Sequence, residues 1–172
     1  MSKCESCIIK EFNSLKSLTR EELMRVSACK TGKIYRKGQV IFEEGETLNG
    51  VYCVRDGVCK LTKLSENGKD QVVKLVVKGD LLGKRSLVSD QKTNLSAVAL
   101  NDMEMCFIPK SEIIDDLSKN PKFTMDVLRE MANDLKDSDV SLVNMAQKSV
   151  KRRMAEILMY SHDNFGTDDE GY

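Results

Sequence analysis

Val51-Tyr-Cys-Val-Arg-Asp-Gly-Val-Cys-Lys-Leu-Thr-Lys-Leu64 is a pair of short β-type runs, rich in β-branched residues, on either side of one glycine. The same texture continues outward in both directions. Upstream lie Ile34-Tyr35 and Val40-Ile41-Phe42; downstream lie Val72 to Val77, Leu95 to Leu100 and Met103 to Ile108. Gly38, Gly45, Gly57, Gly68 and Gly79 punctuate these runs at a spacing of roughly ten residues, which suits an antiparallel roll, sandwich or barrel. Asp56-Gly57 and Asn67-Gly68 tolerate positive φ, so each is expected to close a tight hairpin between the runs beside it. With a two-residue turn at Asp56-Gly57, Val54 faces Cys59 and Cys53 faces Lys60. Strand alternation then puts Cys53 and Cys59 on opposite faces of one sheet, where they cannot pair.

Outside this block the pattern is helical. Thr19 with Glu22 three residues on is a capping box, and Leu23, Met24 and Val26 follow it, so a short helix precedes a compact domain that begins near Lys33. Helical texture returns after Pro109 and persists for about forty residues after Pro121, longer than most globular helices. There Leu128, Met131, Leu135, Ser138, Leu142, Met145 and Ser149 recur at alternating steps of three and four, the seam spacing of a coiled coil. The alternative is one amphipathic helix packed on its own domain. Charged neighbours such as Arg129, Glu130, Lys136 and Asp137 favour a narrow seam that meets a partner helix. A second helix is expected after Ser149, with Val150, Met154, Ile157 and Leu158 on one face and an end near Phe165-Gly166. Three segments result: 1–32, 33–120 and 121–172.

The 172 residues carry 27 Lys and Arg against 27 Asp and Glu, so no overall positive field draws the chain to nucleic acid or anionic lipid. No apolar run approaches the roughly 20 residues that cross a bilayer, and the N-terminus lacks a signal-peptide core. A cytoplasmic protein with no membrane partner is expected. In that reducing setting Cys4, Cys7, Cys29, Cys53, Cys59 and Cys106 point to thiols or metal ligands rather than disulfides. The sequence presents no catalytic constellation: one histidine, no nucleophile elbow and no zincin motif argue against an enzyme. His162, in a polar helix end, is expected at the surface.

Lys37-Gly-Gln-Val-Ile-Phe-Glu-Glu-Gly45, Val51 to Gly57 and Gly79-Asp-Leu-Leu-Gly83 together resemble the glycine framework of the cyclic-nucleotide-binding β-roll. Ser96-Ala-Val98, Cys106-Phe-Ile-Pro109 and the long helix extend the resemblance to the Crp/Fnr family of transcription regulators over nearly the whole chain. The resemblance implies an α+β fold: an antiparallel β-roll or jelly roll with a short N-terminal helix and a long C-terminal dimerisation helix. It further implies a homodimer, a hinge helix from Lys148 to Phe165, and a helix-turn-helix domain after the hinge. This sequence ends at Tyr172, so DNA and RNA polymerase would be contacted only through a domain outside it.

In nucleotide-binding members a Glu after the glycine matching Gly83 takes the ribose hydroxyl, and an Arg before a Ser/Thr-Ala pair takes the phosphate. Here those positions are Lys84 and, before Ser96-Ala97, Leu95. Both charge roles are lost or inverted, and a buried cyclic phosphate without its cation carries a large desolvation cost. Gly83, Lys84, Arg85, Ser86 and Ser96 form a vestigial cassette, with a solvated basic turn as the plainer reading. The stretch is not a P-loop, because three residues rather than four separate Gly79 from Gly83 and Arg85 intervenes between Lys84 and Ser86.

The oxygen-sensing Fnr proteins combine N-terminal cysteines with one in the β-roll, and Cys106 matches the latter. Cys4-Glu-Ser-Cys7 matches two of the former, but the third falls on Asn13. Cys29 is the remaining nearby candidate, giving an iron–sulfur set of Cys4, Cys7, Cys29 and Cys106. Zinc on the same thiols, reversible oxidation of Cys4 and Cys7, and buried cysteines acting as small core residues stay open. In the resembling sensors a seam aspartate opposes association, and the matching residue is the uncharged Ser138. The reading is the sensory and dimerisation module of a regulator that answers oxygen or redox state rather than cyclic AMP. A stand-alone metal- or redox-binding dimer without a DNA role is the alternative.

Overall fold

The structure, a computed structural model, describes residues 13–165. It divides at Arg129/Glu130 into two units. The first opens with a 3-10 turn, Ser14–Ser17, whose entry is capped by Asn13 Oδ1 accepting from the Leu15 N–H at 3.0 Å. Helix α1 (Arg20–Cys29) follows with both halves of the expected capping box: Thr19 Oγ1 accepts from the Glu22 N–H, and the Glu22 carboxylate accepts from the Thr19 N–H.

Eight strands then run β1 (Thr31–Tyr35), β2 (Val40–Phe42), β3 (Gly50–Asp56), β4 (Cys59–Leu64), β5 (Asp70–Val76), β6 (Leu81–Leu82), β7 (Ser96–Ala99) and β8 (Met103–Pro109). Helix α2 (Lys84–Ser89) interrupts them after β6, and α3 (Lys110–Lys119) follows β8 directly. Two antiparallel sheets result, ordered β1-β8-β3-β6 and β2-β7-β4-β5. Tyr52, Val54, Cys59, Ala97, Met103 and Met105 are among the residues that fill the space between them. This is the antiparallel roll that the glycine spacing predicts.

Two expectations need correction. Asp56-Gly57 does not close a β3–β4 hairpin, because β3 belongs to one sheet and β4 to the other. By crossing between sheets, the chain brings Val54 and Cys59 into the shared core from its two opposite sides. Gly57 makes the crossing feasible, with φ 88° and its Cα packed so that a Cβ would lie 2.6 Å from Met103 Cγ and 2.7 Å from Asp102 O. Cys53 and Cys59 are thus kept apart by sheet membership, not by alternation within one sheet. Asn67-Gly68 does turn a hairpin, joining β4 to β5 through residues 65–69, with Gly68 at φ 77°. The second correction is local: Lys84, Arg85 and Ser86, expected in a basic turn, open the six-residue helix α2.

The outer face of β3 is covered rather than solvated. Val51 lines a crevice with Ser14, Leu87, Ile113, Phe123 and Val127, drawn from the 3-10 turn, α2, α3 and the start of α4. Helix α4 spans Pro121–Gln147 and α5 spans Val150–Phe165. Beyond Glu130 several large apolar residues are exposed: Leu135 by 63%, Leu142 by 70% and Met145 by 56%. Within this second unit Lys148 Nζ reaches the Glu156 carboxylate at 2.7 and 2.8 Å across the break between α4 and α5. No helix among the described residues is long and apolar enough to cross a membrane.

Candidate functional site

The chemistry-bearing face of the roll is the outer one. On β3 and β8 the alternation sends Tyr52, Val54, Met105 and Phe107 into the inter-sheet core. Cys53 and Cys106 therefore point the other way, toward the helical layer, and both are buried. The ladder register sets them directly opposite each other. Opposed residues of an antiparallel pair have Cα atoms about 4.5–5.5 Å apart with side chains on the same side. Gly50 fixes the approach of the two strands, since a Cβ there would strike Ile108 O and the Phe107 ring.

Asn13 closes the site from above. Its Nδ2 donates to Gly79 O at 2.8 Å and lies 3.6 Å from Cys53 Sγ. The N-terminal turn is thus fastened beside the thiol pair. Asn13 matters doubly, because it stands where the resembling sensors carry their third N-terminal cysteine. Cys4 and Cys7 lie outside the described residues. Cys29 is described, and it is exposed at the end of α1. Among the described residues no three thiol, imidazole or carboxylate side chains converge as metal ligands, so Cys29 does not join Cys106 and Cys53. Two opposed thiols on one face do fit one edge of a thiolate-bound metal or cluster, whose remaining ligands would have to come from elsewhere. Cys59 is different: burial, and then Asp80, push its thiol up to about 12, so it stays protonated in the core.

The same N-terminal turn is bonded to the start of α4. Asn120 Nδ2 donates to Ser17 O at 3.1 Å and to Glu22 Oε2 at 2.8 Å, while its Oδ1 accepts from the Phe123 N–H that opens the helix. One turn further, Ser17 Oγ donates to Asp126; that hydroxyl, and then Arg129, hold the Asp126 carboxyl below its ordinary range. Arg25 ties α1 to α3 through Glu112 at 2.8 Å, Asp115 at 3.1 Å and Asp116. Burial raises the Asp116 carboxyl to about 6, against the pull of Arg25, and its Oδ2 has no hydrogen-bond partner among the described residues. Thiol pair, turn and helix start are one hydrogen-bonded structure within the first unit.

The vestigial cassette is not assembled around a common point. Gly83 caps α2 with φ 84°, and Lys84 lines the same helix-side crevice as Val51, Phe123 and Val127. Ser96, on the other sheet, accepts the Glu44 N–H at 2.9 Å through Oγ. Arg85 and Ser86 sit in the first turn of α2, and the phosphate-arginine position is the half-buried Leu95. Of the seam residues, Leu128, Leu135, Ser138, Leu142 and Met145 are exposed and Met131 is half-buried. His162 is at the surface, 3.2 Å from Asp163. Cys53 is the residue that sequence reasoning missed as a companion of Cys106. The two are distant in sequence, and only the β3–β8 register reveals them as neighbours.

Residues 33–120 match the family model of the cyclic nucleotide-binding domain. The chain is 31% identical over 157 residues to the fumarate and nitrate reduction regulatory protein of Vibrio cholerae, covering 90% of this chain and 62% of that protein. It is 30% identical over 157 residues to the anaerobic regulatory protein of Pasteurella multocida, covering 90% of this chain and 57% of that one. The catabolite activator protein of Thermus thermophilus shares the fold, with a TM-score of 0.66 at 22% identity over 77% of this chain and 62% of that one. The chain spans about three fifths of the length of the curated relatives it matches. Those relatives are named as regulatory proteins, and the family match together with the two-sheet roll shows that this chain belongs to the cyclic nucleotide-binding domain family.

Proposed function

We propose that this chain is the sensory and dimerising module of a cytoplasmic Crp/Fnr-type regulator that answers oxygen or redox state through cysteine ligands. Its parts are a thiol-bearing N-terminal segment (1–32), the roll (33–120) and the dimer and hinge helices (121–172). The observation that supports the reading is the fastening of the N-terminal turn at two places: Asn13 beside Cys53, which is itself opposite Cys106, and Ser17 against Asn120 and Asp126 at the start of α4. Cys4, Cys7 and Cys106, with a fourth cysteine that the sequence assigns to Cys29, would hold an iron–sulfur cluster. Such a cluster, when bound, supplies iron that dioxygen oxidises. The chain's own residues do the rest. The turn is fastened beside Cys53, and its bonds to α4 would carry a shift of the turn to the helix start.

Leu95 and Lys84, in place of the phosphate and ribose partners, support a module that does not respond to cyclic AMP. The exposed stripe of Leu128, Leu135, Leu142 and Met145 supports a homodimer. Because Ser138 is uncharged, the dimer should form without a cluster. Cluster binding should then alter the hinge between Ser149 and Met154 more than the oligomeric state. The test is anaerobic purification followed by an absorption spectrum and by iron and sulfide analysis. Iron and acid-labile sulfide in equal amounts support the reading, and their absence after reconstitution rejects it. Calorimetric titration with cyclic AMP should give no binding tighter than about millimolar.

A further inference from the structure

We propose that Cys53 and Cys106 form a dithiol couple that a small hydroperoxide closes to a cross-strand disulfide between β3 and β8. The site consists of these two residues and needs no metal, so it stands apart from the cluster reading. The pair is opposed in the β3–β8 register, and both side chains leave the inter-sheet core for the helix-side face. Val54 exchanges its backbone bonds with Asp80 O and Gly79 N on the far side of β3, so the backbone of Cys53 turns toward β8 and the pair is a hydrogen-bonded one. The Cα atoms of such a pair are about 5.5 Å apart, inside the range of about 4.4–6.8 Å that a disulfide spans.

Closing the bridge asks for little movement. Opposed Cβ atoms lie about 4.5–5.5 Å apart and a disulfide holds them at about 3.5–4.5 Å, so the strands draw together by roughly 1 Å at this pair. Each cysteine keeps 5% of its surface exposed, which limits the oxidant to a molecule as small as hydrogen peroxide. Asn13 Nδ2 donates to Cys53 Sγ at 3.6 Å, so an N–H already faces a sulfur on which thiolate charge develops, and the first attack is assigned there. Cys53 gives up its proton and its sulfur attacks one peroxide oxygen; the O–O bond breaks, a sulfenic acid forms and one water leaves. Cys106 then gives up its proton and attacks that sulfur; the S–S bond forms, the S–O bond breaks and a second water leaves. Two thiols lose two electrons, and one peroxide is reduced to two waters. Cys59 is the contrast within the same roll: it faces Val76 and Ala99 in the other sheet, and its thiol, pushed up to about 12, stays protonated. A bridged Cys106 cannot also hold iron, so disulfide and cluster are mutually exclusive uses of one residue.

The experiment treats the folded, metal-free chain with hydrogen peroxide and reads intact mass and non-reduced peptide maps. A Cys4→Ser, Cys7→Ser, Cys29→Ser background leaves Cys53, Cys59 and Cys106 as its only thiols. Over half of these chains should lose two hydrogens, with a cross-linked peptide pair joining residues 53 and 106, and dithiothreitol should restore the mass. Adding Cys59→Ala should leave the bridge unchanged. Adding Cys106→Ala should abolish it and leave at Cys53 a sulfenic acid that dimedone captures, a signal that a Cys53 serving only to pack would not give. Circular dichroism before and after treatment checks that the bridge forms in the folded chain. If peroxide that fully oxidises the exposed Cys29 of the wild type leaves Cys53 and Cys106 reduced, or if Cys106 bridges only to Cys4, Cys7 or Cys29, the proposal is overturned and the cluster reading is untouched. Failure of iron uptake, in turn, rejects the cluster reading and leaves the dithiol couple standing.

Discussion

Up to Arg129 the chain buries its apolar residues within itself: Val54 is fully buried and Met105 is 1% exposed between the sheets, and Phe123 is 1% exposed beneath the N-terminal turn. After Glu130 the same kinds of residue face outward, with Leu135 and Leu142 more than half exposed. The two regions are equally helix- or strand-competent, so propensity does not separate them. The difference is where each finds its hydrophobic contact. The first region closes a core from its own two sheets and helices, whereas the second presents a seam that only another surface can cover. A stripe of this kind on a long helix is what the proposed homodimer would cover.

The sharpest way to break the comparison is to charge the seam. Leu135→Lys with Leu142→Lys places four lysines per dimer in an apolar interface, and dissociation should become easier by more than about 4 kcal/mol, roughly a thousandfold. Sedimentation should show a folded monomer, and a dimer as tight as wild type would mean that α4 pairs through another face or not at all. Next in size, Phe123→Ala should lower unfolding stability by about 3–5 kcal/mol, because it empties the covered crevice of the first region. Met145→Ala, read in the monomeric background, should cost less than about 1 kcal/mol, since the side chain is already in water.

A third effect is pH dependent. Asp116 in the folded state binds its proton more tightly than in the unfolded chain, so the stability it contributes is complete below about pH 4 and is lost as pH rises through about 6. Asp116→Asn, neutral throughout, should remove that loss. Relative to wild type it should gain about 1–3 kcal/mol between pH 4 and pH 7, measured by urea unfolding at both. An unchanged difference would mean that Arg25 fully compensates the buried carboxylate. A small effect is also expected at the helix entry, where Thr19→Ala should cost about 1 kcal/mol by removing one half of the capping box.

Seven of the eight strands were legible because alternating apolar runs bounded by glycine are a local signal. The capping box at Thr19 and the break near Ser149 were legible for the same reason. The two-residue strand β6 and helix α2 are too short to show a period. The crossing at Gly57 was read as a hairpin because turn chemistry reports backbone conformation and not which sheet the next strand joins. The thiol site shows the same limit. Cys29 attracted attention because it is close in sequence to Cys7, while the neighbour of Cys106 is set by a register between strands that lie far apart along the chain.

Asn120 holds Ser17 and Glu22 from 103 and 98 residues away. A chain made from its N-terminus at roughly 5–20 residues per second therefore completes its first turn and α1 some 5–20 seconds before the side chain that pins them exists. Through that interval the roll can collapse, strand by strand, with the N-terminal turn still unlatched. Docking of the turn is thus a late step of folding, and any ion or cluster delivered to this face during synthesis would meet it before the latch closes.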